Sequence, residues 1–214
     1  MKEGFKRFVA VAGALFCYAS VGTAQSEPQY RELPNFHQIN DQLYRGAQPK
    51  RGGIQRLAQL GVKTIVNLRA HDEHSQTEER EVRAAGLRYF NVSVEKITLV
   101  AALKSLTDLR YFNLPVKRFG RPTDAQVERV LSIINAPENQ PVFVHCKRGA
   151  DRTGTIIAIY RIEHAGWSSE RAKAEANRYG MAWWERGKKN YIRDYYRRRL
   201  QRTTARVLMP SVVY

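Results

Sequence analysis

Cys146 and Arg152 stand six positions apart in the stretch VFVHCKRGADRTG, residues 142–154. A hydrophobic run of strand length leads into a glycine-containing loop, and the loop leads into an apolar stretch with helical spacing. Such a turn suits an anion. Successive backbone N–H groups over about 147–152 can point inward as a nest, and the unpaired amides of a helix N-terminus add partial positive charge. Arg152 supplies a planar fork able to grip two phosphate oxygens. Lys147 and Arg148 add two cations to the rim, and Gly149, Ala150 and Asp151 complete the loop. Cys146 sits where this field converges, so its thiolate is expected to be stabilised and reactive. A cysteine can also be an inert, buried small hydrophobe. Here the surrounding residues favour the nucleophile, with its oxyanion cradle drawn from the same loop.

The arrangement Cys146-x5-Arg152-Thr153-Gly154, preceded by His145, resembles the signature of the cysteine-dependent protein tyrosine phosphatase superfamily. Flanking segments, DQLYRGAQP at 41–49 and VKTIVNLR at 62–69, and the chain onward to about Trp184, look like the compact dual-specificity branch, including its atypical and bacterial members. The likeness covers roughly two-thirds of the chain. It implies a two-step reaction without metal or cofactor: Cys146 attacks phosphorus to give a cysteinyl-phosphate, which water then hydrolyses. Arg152 and the loop amides would hold the equatorial oxygens, and Thr153 would hydrogen-bond the departing thiolate. By the same likeness His145 orders the loop rather than acting as a base. Asp124 is the expected general acid, with Asp151 as its rival. The segment 118–124 contains no Trp-Pro-Asp, and Asp124 also suits the start of a helix, while Asp151 could simply brace loop amides. The implied substrates are phosphorylated proteins, or inositol phosphates and phosphoinositides, which Lys147 and Arg148 would favour. Tyr44 and Arg45 either border the pocket or serve packing. Two other readings stay open: a rhodanese-like sulfurtransferase, and an inactive module that binds phosphate or anionic lipid.

Elements that could position this loop alternate along the chain. Residues 63–68 (KTIVNL) and 141–145 (PVFVH) read as central strands covered on both sides, each after a segment of helical spacing. Helices are predicted over 54–60, closed by Gly61, and from a capping box at Ser75-x-x-Glu78 to Gly86. A second box, Thr123-x-x-Gln126, opens a helix over 125–135. A further helix is predicted over about 155–164, closing at Gly166, with Ser168 or Ser169 capping the next. The expected fold class is α/β, a short, mostly parallel central sheet flanked by helices. LRYFN at 87–91 recurs at 109–113, and because the second copy leads into the 118–124 segment it is expected to be the one in the sheet. His71-Asp-Glu-His74 is read as polar turn sequence, not a metal cluster.

Composition bounds the rest. The 214 residues allow one ordinary domain, and 43% hydrophobic residues suffice for a core, which excludes wholesale disorder. Two cysteines cannot make a disulfide scaffold. Residues 1–24 read as a signal peptide: Lys2, Lys6 and Arg7, an apolar run over 8–21 too short to span a bilayer, then Gly-Thr-Ala before Gln25. An exported protein, periplasmic or secreted, is expected, and cleavage would remove Cys17. A linker over 25–36, a catalytic domain over 37–200 and a tail over 201–214 would follow. The formal charge of +16 belongs mostly to the mature part. The basic, tyrosine-containing stretch 186–202 reads first as an amphipathic helix with aromatics on the core, and secondarily as a contact for an anionic membrane surface. No nucleic-acid partner is expected, and the oligomeric state is unreadable.

Overall fold

The computed structural model describes residues 30–92 and 121–208, with side chains to Ala205. The expected signal peptide with Cys17, the second LRYFN copy at 109–113 and residues 118–120 lie outside the described residues.

Among the described residues five strands form one sheet: β1 (His37–Asn40), β2 (Leu43–Ala47), β3 (Thr64–Asn67), β4 (Arg88–Asn91) and β5 (Val142–Cys146), in the order β1-β2-β5-β3-β4. Only β1 pairs antiparallel, with β2. β5 is central and parallel to both neighbours, which sets Ala47 opposite Cys146 and Asn67 opposite His145. The helices are α1 (Gly53–Gln59), α2 (Glu73–Ala84), α3 (Asp124–Asn135), α4 (Asp151–Ala165), α5 (Ser169–Arg178) and α6 (Arg186–Leu208).

Strand side chains alternate between faces, and the alternation sorts the core into two layers. Ile65, Tyr89 and Phe143 join Ile54, Leu57 and Val82 of α1 and α2 on one face. Leu43, Val66, Val142, Val144 and Cys146 join the apolar stripes of α3 to α6 on the other. His145 therefore points to the α1–α2 side and Cys146 to the opposite side. β3 and β5 are buried along their whole length, as continuous apolar runs in a doubly covered parallel sheet should be.

Several expectations shift. The first LRYFN copy supplies a strand: Arg88–Asn91 pairs along β3, with Tyr89 turned into the core, while the second copy, expected in the sheet, lies outside the described residues. α2 begins earlier than the Ser75 box suggested. Asp72 is the N-cap, accepting from the Ser75 amide at 2.9 Å, while the Ser75 hydroxyl accepts from the Asp72 amide at 2.9 Å. A carboxylate and a hydroxyl three residues apart satisfy the same two orphan donors, which releases Glu78 into the second turn. Asp72, within the His71–His74 stretch, is thus that cap. The Thr123–Gln126 box forms as expected and opens α3. α4 starts at Asp151, four residues ahead of the expected 155, so Asp151, Arg152 and Thr153 form its first turn. Gly166, at φ 64°, closes it. Ahead of 37, Leu33 is buried with α1 and Phe36 stacks on Tyr44 and Phe143. At the other end α6 continues to Leu208 without a break at 200.

Candidate active site

The loop that joins β5 to α4 carries the predicted residues in one continuous turn. Cys146 ends the strand and is nearly fully buried at 3% exposure, while Lys147 and Arg148 are exposed. Gly149 takes φ 68°, the left-handed region, and an added Cβ would lie 2.5 Å from the Gly46 carbonyl. Both the turn and the close approach to β2 therefore require glycine. Ala150 is the N-cap of α4 and offers no side-chain cap. None of the backbone amides from Arg148 to Thr153 donates to a backbone carbonyl among the described residues. An uncapped helix N-terminus preceded by a positive-φ glycine leaves a set of donors for an external anion beside the buried thiol.

The two arginines of this loop are held by partners. Arg152 donates from one guanidinium nitrogen to the Leu68 carbonyl at 2.7 Å, which ties the first turn of α4 to the end of β3. Arg148 pairs with Asp151, and Asp151 Oδ1 accepts from the Ala182 amide at 3.0 Å. Burial alone would raise the Asp151 carboxyl, but that amide and the Arg148 guanidinium outweigh it and hold it below the usual carboxylate range. A carboxyl so held makes a poor proton donor and a good brace. The Thr153 hydroxyl is buried without a hydrogen-bond partner. Asp124 stands at the start of α3, and its contacts among the described residues are to α6. It accepts from the Tyr191 hydroxyl at 2.7 Å and from Arg198 at 2.8 Å. No hydrogen bond or ion pair among the described residues joins it to the loop.

Two buried charges flank the strand that delivers Cys146. On the α2 side, Glu78 is 4% exposed, with Oε1 at 3.1 Å from His145 Nε2, an ion-pair contact not aligned as a hydrogen bond. Glu78 also accepts from Gln48 at 2.6 Å, Asn67 at 2.6 Å and the Tyr89 hydroxyl at 3.0 Å. Burial pushes this carboxyl up, yet the His145 ring, with Tyr89 and Gln48, holds it below the usual range. On the other side, Arg45 of β2 is fully buried. It donates to the Gly149 carbonyl and lies 4.3 Å over the Tyr179 ring, while its Nε and other terminal nitrogen have no hydrogen-bond partner. Burial lowers it to about 10, so it remains charged at neutral pH, with the field of Cys146 among those favouring the charge. Arg45 thus does not border a pocket. It backs the loop.

Glu78 and Arg45 are the residues that spacing failed to assign. Glu78 looked like a capping residue, and only Asn67, a polar side chain closing an apolar strand run, hints at a buried polar network there. A lone arginine inside the β-prone run LYRGA was the visible signal for Arg45.

Comparison with known proteins identifies the family. Residues 18–194 match the family model described as DSP-PTPase phosphatase fused to NAD+ kinase. The chain belongs to this family. As a member of the cysteine-dependent dual-specificity phosphatases it is not a rhodanese-like protein. It is 31% identical over 148 residues to the dual specificity protein phosphatase TpbA of Pseudomonas aeruginosa (strain UCBPP-PA14), covering 69% of this chain and 55% of that protein. The chain thus spans about half the length of that relative. The crystal structure of P. aeruginosa TpbA superposes with a TM-score of 0.56 at 26% identity, covering 78% of this chain and 91% of that one. The inositol diphosphatase DSP5 of Arabidopsis thaliana is 21% identical over 172 residues, 76% of this chain and 70% of that protein. The expected α/β fold with a mostly parallel sheet stands.

Proposed function

We propose that this protein is an exported, cysteine-dependent phosphomonoesterase. The observation that carries the reading is the loop itself: a buried thiol at the end of β5, followed at once by the unpaired amides of an uncapped helix whose second residue is an arginine. Substrate phosphate would lie on those amides and on the Arg152 fork, as the Leu68 carbonyl already holds that guanidinium in place. Cys146 Sγ attacks phosphorus in line, the P–S bond forms, and the P–O bond to the leaving group breaks. The leaving oxygen takes a proton from a carboxylic acid. Water then attacks phosphorus, the P–S bond breaks, and inorganic phosphate departs. The buried, unpartnered Thr153 hydroxyl is available to hydrogen-bond the thiolate as it leaves.

Asp124 is the proposed acid and Asp151 the brace, because Asp151 is held ionised by Arg148 and the Ala182 amide. Asp124→Asn should slow alkyl phosphates about 10²-fold or more and activated aryl phosphates much less. If the selective loss appears in Asp151→Asn instead, the role passes to Asp151.

Hydrolysis of p-nitrophenyl phosphate that resists EDTA, is blocked by vanadate and disappears in Cys146→Ser is the test of the reaction. Binding of phosphate or phosphoinositide without turnover between about pH 5 and 8 would leave a binding module instead. For the substrate, Lys147 is an exposed rim cation, whereas Arg148 is partly neutralised by Asp151. That charge suits phosphoproteins as well as inositol phosphates or phosphoinositides, so a panel of the three on purified protein decides. Export rests on residues 1–24, and N-terminal sequencing of the secreted chain should begin at Gln25.

A further inference from the structure

The basic stretch in α6 turns most of its aromatic surface inward: Tyr191 and Tyr195 are buried in the core and Tyr196 is half-buried against it. Aromatic surface appears elsewhere. Among the described residues, Trp183 at 74% and Trp184 at 56% are the most exposed large hydrophobic side chains, with their rings edge-on at 5.4 Å. The segment that carries them is fastened to the phosphate loop. The amide of Ala182 donates to Asp151, Asn35 bridges the carbonyls of Arg148 and Tyr179, and Met181 is buried against Gly154 of α4. The two exposed indoles are therefore carried on a segment tied directly to the phosphate loop.

Exposed cations lie on the segments joined to the same loop. Lys147 and Arg148 lie in the loop, and Arg186, whose amide donates to the Trp184 carbonyl, opens α6. Lys50 and Arg51 belong to a segment joined to the loop where the Gln48 amide meets the Lys147 carbonyl. Paired indoles are costly to leave in water and favour the headgroup region, where an apolar ring and a polar N–H are both accommodated. A collar of lysine and arginine favours anionic headgroups. A peptide partner would need a groove for its own side chains, whereas these rings project outward, a shape that suits a soft interface. We infer that the face carrying the phosphate loop docks on an anionic lipid bilayer, with Trp183 and Trp184 entering the headgroup region. This rests on the proposed function only in calling that face catalytic.

The test uses the full chain with vesicles of phosphatidylcholine containing about one-third phosphatidylglycerol, and with phosphatidylcholine alone. With brominated acyl chains in the anionic vesicles, indole emission should be quenched and blue-shifted. The residual emission should come from Trp167, which is packed between Arg161 and Arg171. The Trp183→Ala/Trp184→Ala double variant should lose the quenching and bind about tenfold more weakly or worse. It should keep p-nitrophenyl phosphate hydrolysis within about twofold, which also shows that it folds. Unquenched indoles in a chain that still sediments with vesicles would overturn the inference, since residues 1–24 contain no tryptophan and could bind alone. So would unchanged vesicle binding by the double variant, or a loss confined to phosphotyrosyl peptide. Quenching by a chain without any hydrolase activity would remove the proposed reaction and leave the docking intact.

Discussion

Glu78 and Arg45 are buried to almost the same degree on opposite faces of the sheet, yet their surroundings differ. Glu78 meets four polar side chains, those of Gln48, Asn67, Tyr89 and His145. Arg45 has one carbonyl and one ring, and two of its nitrogens are unpartnered. A saturated buried charge contributes rigidity and binds its neighbours into one unit. An unsaturated one keeps its field available to whatever sits nearby, and what sits behind Gly149 is the loop around Cys146. The α2 side therefore holds the strand that ends in Cys146 in place, while the β2 side supplies positive potential to it.

That contrast can be broken by experiment. The largest expected effect on stability is from Glu78→Ala, which strands four polar groups and should cost about 3–5 kcal/mol in urea unfolding. Glu78→Gln retains acceptors for Asn67 and Tyr89 and should cost less. Next comes Gly149→Ala, where left-handed strain and the clash with Gly46 together cost on the order of 2–3 kcal/mol and prevent the loop from closing on β2. Turnover should be lost even in the folded fraction.

Arg45→Met should change stability by no more than about 1–2 kcal/mol, because the buried guanidinium is poorly compensated to begin with. Its kcat/KM should nonetheless fall roughly 10- to 100-fold and its vanadate affinity with it. If Arg45→Met instead loses stability as heavily as Glu78→Ala and keeps kcat/KM, the two faces do not divide the work in this way.

The smallest effect is the pH dependence. The folded carboxyl of Glu78 lies below its unfolded value of 4.5. Its contribution is therefore complete above about pH 4.5 and declines as pH falls through the lower, folded value. Unfolding free energy should drop on the acid side of pH 4.5, and Glu78→Gln should flatten that limb. Equal acid limbs in wild type and variant would show that Glu78 is not the group responsible.

Much of the site was legible because it is local. A β-prone run, a loop with glycine at one position and a helix opening two residues later lie within thirteen consecutive residues, so spacing alone put Cys146, Gly149 and Arg152 together. The Thr123 box, Gly61, Gly166 and the two buried strands were legible for the same reason. The start of α4 was not, because the loop contains no capping side chain and Ala150 takes the position in its place. The Ser75 box misled because two overlapping patterns, Asp72-x-x-Ser75 and Ser75-x-x-Glu78, compete, and Glu78 gains more from burial with Asn67 and Tyr89 than from an exposed cap. Within the first LRYFN copy, local sequence did not state that Arg88–Asn91 would pair along β3; that pairing is long-range.

The loop from Cys146 to Arg152 and the family of the chain follow from residue order, since strand, turn and helix signals act over a few positions. The partnership of His145 with Glu78, the placement of Arg45 behind Gly149 and the fastening of Trp183 and Trp184 beside Asp151 join residues tens to more than a hundred positions apart. Burial makes those pairings decisive, because a charge taken out of water must find what the fold brings near it, and residue order does not state what that will be.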